Sequence, residues 1–140
     1  MHITEPRSDD EILATWEVMH QLRPHITAQE YVPIVRGMMD SDGYRLAAVV
    51  DDGEVRAVAG YRYMHMLYCG KLLYVDDLVT DDRVRSRGYG KALLDWLKAR
   101  GGDEGCSELQ LISRVTREQA HRFYFREGLA IECFEFRVKL

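Results

Sequence analysis

Val84-Arg85-Ser86-Arg87-Gly88-Tyr89-Gly90-Lys91-Ala92-Leu93 lies between a strand-like apolar run, Leu72–Thr80, and an amphipathic helical run, Lys91–Arg100. A strand, a basic turn with two glycines and then a helix start make the arrangement a bound phosphate asks for. Glycine lets the backbone come close, the free N–H groups of the first helical turn point at the anion, and the helix dipole adds partial positive charge. Arg85, Arg87 and Lys91 add full charges.

Two common phosphate loops do not fit these residues. A nucleoside-triphosphatase loop needs glycine five positions before its Gly-Lys pair and a hydroxyl after it to hold magnesium. Here those positions are Arg85 and Ala92, and alanine ligates no metal. A dinucleotide fingerprint needs a third glycine where Leu93 stands, and it opens a βαβ unit early in a domain rather than past mid-chain.

Arg85-x-x-Gly88-x-Gly90 instead resembles the acetyl-coenzyme A pyrophosphate loop of the GNAT family of N-acetyltransferases, and the flanks extend the likeness. Upstream, Tyr74-Val75-Asp76-Asp77-Leu78-Val79-Thr80 is similar to the family's central strand, which carries an acidic pair in its spermidine/spermine branch. Downstream, Ala120-His121-Arg122-Phe123-Tyr124 followed by Gly128-Leu129 is similar to its Ala-x-x-Phe-Tyr…Gly-Phe helix. The three blocks stand in order, and the resemblance covers nearly the whole chain, most weakly residues 1–40.

Length and composition set the outer bounds. The chain has 140 residues, enough for one domain and one core. A net charge of −4 argues against general nucleic-acid binding, because no broad basic face is supplied. Cys69, Cys106 and Cys133 show neither a Cys-x-x-Cys pair nor a disulfide framework, which fits a reducing cytosol. No apolar run approaches the ~20 residues of a membrane span, and no signal peptide opens the chain. His2, His20, His25, His65 and His121 have no metal-ligand spacing, so no metal is assigned, and no Gly-x-Ser-x-Gly elbow supports a hydrolase.

Element signals are frequent. His2–Thr4 reads as a short strand. Ser8 with Glu11, and Thr27 with Glu30, are capping boxes for two helices, the first running towards Pro24 and the second to about Met39. Pro33 is expected to kink the second or delay its start by a turn. Tyr44–Val50 and Glu54–Met66 are strands joined by Asp51-Asp52-Gly53, a hairpin signal. Gly70 turns the chain into Leu72–Thr80, completing an antiparallel meander. Gly101-Gly102 is expected to end the helix after the loop. Glu108–Ser113 reads as a strand, Thr116–Glu127 as a helix, and Leu129–Leu140 as a last strand or bent pair. The strand–helix–strand unit around the loop makes one parallel pair in an otherwise antiparallel sheet. The fold class is α+β, which fits the GNAT fold, with helices on both faces and a single domain over 1–140.

The resemblance implies acetyl transfer from acetyl-CoA to a primary amine by direct attack in a ternary complex. In that family the parallel strands splay, the pantetheine arm enters the gap, and the first helical pair roofs the acceptor pocket. By that reading Leu78, Val79 and Thr80 line the pantetheine, with a backbone N–H near Leu78 or Val79 as oxyanion donor. Arg85, Ser86, Arg87, Gly88, Tyr89, Gly90 and Lys91 take the pyrophosphate. An alkyl ammonium has a pKa near 10.4, so it must lose a proton before it attacks. Asp76 aligns with the acid implicated in the polyamine-acetylating branch. Asp77, or a chain of waters, is the other candidate, and alternation along a strand lets only one of the pair face a given pocket. Tyr124 holds the Tyr of the Phe-Tyr pair and is the implied acid for the departing thiolate. Arg117 stands where many relatives have Asn, so it is expected to meet a phosphate or solvent, while His121 reads as structural. The acidic pair and the negative net charge favour a cationic acceptor. A homodimer is an expectation of the family. A non-catalytic acyl-CoA sensor on the same fold is the rival reading, and Asp76, Asp77 and Tyr124 argue against it.

Overall fold

Five strands in the order β1-β2-β3-β4-β5 form the sheet of the computed structural model, which describes residues 1–140. The chain divides into two compact units, Met1–Gln110 and Leu111–Leu140. The strands are β1 (His2–Thr4), β2 (Arg45–Asp51), β3 (Glu54–Met66), β4 (Gly70–Thr80) and β5 (Glu108–Leu111), whose last residue opens the second unit. β1 to β4 pair antiparallel, and β4 with β5 forms the parallel pair. Asp52 (φ 52°) and Gly53 (φ 74°) are both left-handed, the geometry of a type I′ turn whose twist matches its strands.

Both capping boxes form. Ser8 and Glu11 start α1 (Asp9–Ala14), and Thr27 and Glu30 start α3 (Ala28–Asp42). The first helical run is not continuous, however. It breaks at Thr15, whose hydroxyl bonds the Ile12 carbonyl (2.7 Å) and the Tyr31 hydroxyl (2.8 Å), and resumes as α2 (Trp16–Leu22). Pro33 does not delay α3, because its exposed position costs one intrahelical bond while Tyr31 and Val35 stay buried.

The helix after the loop, α4 (Tyr89–Asp103), runs through Gly101 and Gly102 instead of stopping there. The stop is at Gly105 (φ 75°), where Gly105 N–H donates to the Gly102 carbonyl (3.0 Å) and Cys106 N–H to that of Gly101 (2.9 Å). A β-carbon at Gly101 would meet the Leu73 side chain at 3.5 Å, an ordinary van der Waals contact, so α4 passes close over β4 there without requiring glycine.

The meander separates two apolar layers. Leu46 and Val58 face α1–α3 and pack with Ile12, Val18, Met19, Tyr31 and Val35. On the other face Tyr61 and Leu73 meet α4, whose Leu93, Leu94 and Leu97 are fully buried. Each of those leucines contributes about 1.5–3 kcal/mol relative to exposure.

The second unit contains α5 (Glu118–Arg126), which ends as α4 does. Gly128 (φ 85°) lets Leu129 N–H reach the Tyr124 carbonyl at 2.9 Å. The expected last strand over Leu129–Leu140 does not form, and the segment has no regular structure. Its alternating Phe134, Phe136 and Val138 satisfy the pattern of a strand, but a strand exists only where a neighbour takes its N–H and C=O groups.

Candidate active site

Alternation along β4 is broken at the acidic pair. Gly60 pairs with Asp77 and Tyr61 with Val75, so Asp76 is the extra residue of a β-bulge. The expectation that Asp76 and Asp77 face opposite ways is therefore corrected. Asp77 Oδ2 accepts from Tyr44 Oη at 2.8 Å. Asp76 is held by Arg62, whose guanidinium lies 5.8 Å from the centre of the same Tyr44 ring. Both carboxylates gather on the side of the sheet that carries Tyr44.

Each carboxylate has a guanidinium. Arg62 meets Asp76 as a fork, Nε to Oδ1 at 3.0 Å and Nη2 to Oδ2 at 2.5 Å. Arg23, just past α2, donates from Nε to Asp77 Oδ1 (2.8 Å) and from Nη2 to the Asp76 carbonyl (3.2 Å). Burial, reinforced by the Asp77 charge, pushes the Tyr44 phenol well above its ordinary range, so it stays a donor at neutral pH. Gly60 makes this packing feasible: a β-carbon there would overlap the Tyr44 hydroxyl and crowd Asp77 Oδ2. An isolated glycine inside a strand pattern is the sequence signal for such a close approach. Arg23, Arg62 and Tyr44 carry no local signal at all.

Downstream, β3 takes one edge of β4 as far as Leu78, Val79 and Thr80, which pair with Ala59, Val58 and Ala57. On the other edge β5 begins beside Lys71, where Ser107 N–H bonds the Lys71 carbonyl at 2.8 Å, and it is only four residues long. The Leu78–Thr80 end of β4 thus runs past β5 and offers main-chain groups to an extended ligand.

The loop follows. Asp81 is fully buried and caps a short 3₁₀ turn (Asp82–Val84). It accepts from Arg83 Nε (2.9 Å), Arg83 N–H (3.1 Å) and Gln21 Nε2 (3.3 Å), while Gln21 Oε1 takes the Asp82 N–H at 3.0 Å. Sequence reading missed both Asp81 and Gln21, because the contact joins residues 60 apart. The Arg83 guanidinium beside Asp81 brings its carboxyl from the ordinary 3.8 down to about 2. A depressed folded value means the stabilisation is complete above about pH 4 and is lost as pH falls towards 2. Asp81→Asn should cost about 1–3 kcal/mol at pH 7. It should also flatten the loss of stability between pH 4 and pH 2, as read by urea unfolding; an acid limb equal to the parent's would contradict this role.

Ser86 (φ 66°) and Gly88 (φ 82°) are left-handed, and Gly88 is the N-cap of α4 with no side-chain cap bond. The N–H groups at Tyr89, Gly90 and Lys91 are thus of the kind an anion takes at a helix start. Arg85 and Arg87 flank them in the same loop, both exposed. The Tyr89 side chain turns away, buried, with its hydroxyl 2.7 Å from Asp51 Oδ2, so Tyr89 offers the loop its backbone. Lys91 Nζ contacts Asp95 at 2.7 Å along the helix. These features fit a diphosphate.

In the second unit Arg117 precedes α5, and its charge acts on Tyr124 along the same helix. Burial keeps the Tyr124 phenol above its ordinary value and so protonated at neutral pH. His121 Nε2 lies 3.1 Å from Ser113 Oγ. The first unit thus brings together the acidic pair, the Leu78–Thr80 strand end and the Arg85–Lys91 loop. The second carries Arg117 and Tyr124.

Comparison with known proteins agrees with this geometry. The sequence matches the family model described as "Acetyltransferase (GNAT) family" over residues 9–129. It is 30% identical over 138 residues to the uncharacterized N-acetyltransferase YhdJ of Bacillus subtilis (strain 168), covering 98% of this chain and 97% of that one. It is 30% identical over 94 residues to the aminoalkylphosphonate N-acetyltransferase of Salmonella typhimurium (strain LT2), covering 66% and 60%. Among solved structures, the aminoglycoside N-acetyltransferase AAC(6')-Iy in complex with CoA superposes with a TM-score of 0.81 at 17% identity, covering 99% of this chain and 95% of that one.

Proposed function

The chain belongs to the acetyltransferase (GNAT) family, and from that starting point we propose that it is a single N-acetyltransferase domain moving an acetyl group from acetyl-CoA to a primary amine by direct attack. The observation that carries the reading is the continuous run of a strand end beyond its parallel neighbour, a left-handed loop and an uncapped helix start. Bound acetyl-CoA supplies an activated thioester and a thiol leaving group.

The chain's own residues do the rest. Arg85, Arg87 and the amides of Tyr89–Lys91 hold the diphosphate, with Ser86, Gly88 and Gly90 shaping the backbone around it. Leu78–Thr80 bind the pantetheine arm through main-chain groups, and an N–H at Leu78 or Val79 faces the oxygen on which negative charge develops. The acceptor's ammonium gives its proton to the Asp76–Asp77 pair, directly or through water. Tyr124, kept protonated, donates to the departing sulfur. Arg117 adds positive charge near that phenol. Three free thiols support a cytosolic location.

Titration with coenzyme A should show heat of binding and a raised melting temperature, and acetyl-CoA with a panel of amines should release thiol. No heat and no melting shift at millimolar coenzyme A would remove the proposal. Tight binding without turnover on any amine would instead favour an acyl-CoA sensor.

A further inference from the structure

The acidic pair does not stand alone as a cation-attracting surface. Asp77 presents Oδ1 to Arg23 and Oδ2 to Tyr44, and Asp76 presents both oxygens to Arg62. The two carboxylate charges are therefore matched by two guanidinium charges. A pair so compensated attracts a polycation far less than two bare carboxylates.

The hydrogen-bonding capacity left over is of the opposite kind. A guanidinium has five N–H donors, and the contacts to the carboxylates and the Asp76 carbonyl use Nε and Nη2 of each arginine, leaving Nη1 outside them. Accessibility follows the same asymmetry, since the Arg23 side chain is 41% exposed against 12% for Asp77. Arg62 and Asp76 are nearly equal at 20% and 19%. The quartet thus presents donors with positive charge beside carboxylates, on the strand that leads into Leu78–Thr80. Gly60, by admitting Tyr44 against Asp77, fixes where the donors stand.

We propose that the acceptor is zwitterionic, a small amine that also carries an acid group, carboxylate or phosphonate. The amine lies towards the Asp76–Asp77 pair and the acid group on Arg23, with Arg62 adding charge. A bidentate guanidinium contact suits either acid, and phosphonate, with more oxygens and charge, engages it more strongly. This inference rests on the acetyltransferase reading for its chemistry, but its binding claim can be tested separately.

The experiment compares propylamine, β-alanine, 2-aminoethylphosphonate and spermidine as acceptors for the full-length protein with acetyl-CoA. It also compares their effect on the melting temperature with coenzyme A bound. The acid-bearing amines should exceed propylamine in kcat/KM by about tenfold or more, and should raise the melting temperature where propylamine does not. Arg23→Gln should narrow the ratio of acid-bearing to plain amine about tenfold, with Arg23→Lys keeping part of it. Arg23 is exposed enough that these variants are expected to fold, and the ratio is internally normalised. Spermidine or propylamine as the best acceptor, or a ratio unmoved by Arg23→Gln, would overturn the proposal. If no amine is acetylated although coenzyme A binds, the acetyltransferase reading fails. The melting comparison still decides this one: selective protection by the acid-bearing amines supports it, and equal or absent protection refutes it.

Discussion

Tyr124→Phe is expected to leave coenzyme A affinity unchanged while kcat falls by about 10²–10⁴-fold, the range over which a positioned acid or base contributes. The substitution removes one oxygen and keeps the ring, so the volume of α5 and its Phe123 contact are conserved. The helix end that holds the residue is also untouched, because Gly128 and Leu129 close on the backbone carbonyls of Phe125 and Tyr124. A coenzyme A thiol near the reference ~8.5 leaves without a proton once the medium is more basic than that, so the defect should narrow above about pH 8.5. Single-turnover thiol release measured across pH is the check. An unchanged kcat at pH 7 takes Tyr124 out of the acid role and leaves its ring as packing.

Gly60→Ala should have the largest effect on stability. Gly60 does not have a left-handed backbone, so alanine meets no conformational objection, and the whole penalty is steric. The new methyl would occupy the space of the Tyr44 hydroxyl and press on Asp77 Oδ2. Overpacking and loss of a charge-assisted bond together should cost about 2–4 kcal/mol, on the order of 10 °C in melting temperature. Acceptor turnover should fall with it, since the bulge that gathers Asp76 and Asp77 on one side loses its support. Coenzyme A binding should persist, because Asp81, Gln21 and the loop are held by other contacts. Tyr44→Leu in the same chain should recover part of the loss, as shared space makes the two changes non-additive. Strictly additive costs in urea unfolding would show that Gly60 and Tyr44 do not share that space.

Local signals in the sequence went a long way here. Ser8 with Glu11 and Thr27 with Glu30 named their helix starts because a capping box is complete within four residues. Asp52-Gly53 named the hairpin because only residues tolerant of positive φ close a type I′ turn. The left-handed backbone at Gly88 and the helix start at Tyr89 were legible for the same reason: both are written in consecutive positions. Where the sequence misled, the deciding energy came from outside the segment. Gly101-Gly102 looked like a helix end, yet both glycines stay helical until Gly105, whose left-handed backbone closes the last turn. Phe134 to Val138 looked like a strand, and no ladder forms there.

Family, most of the element order and the glycine turn before α4 could be read along the chain, since each is specified by residues a few positions apart. The state of the acidic pair could not; it exists only once the chain has folded. A one-residue bulge opposite Gly60 gathered both carboxylates on one side, and Arg23, Arg62 and Tyr44 arrived from distant parts of the chain to neutralise and hold them. Charge in a site is a property of neighbours in space, set by Coulomb interactions over a few ångströms. The letters Asp-Asp therefore carried the potential for a base, and the fold settled which charges surround it.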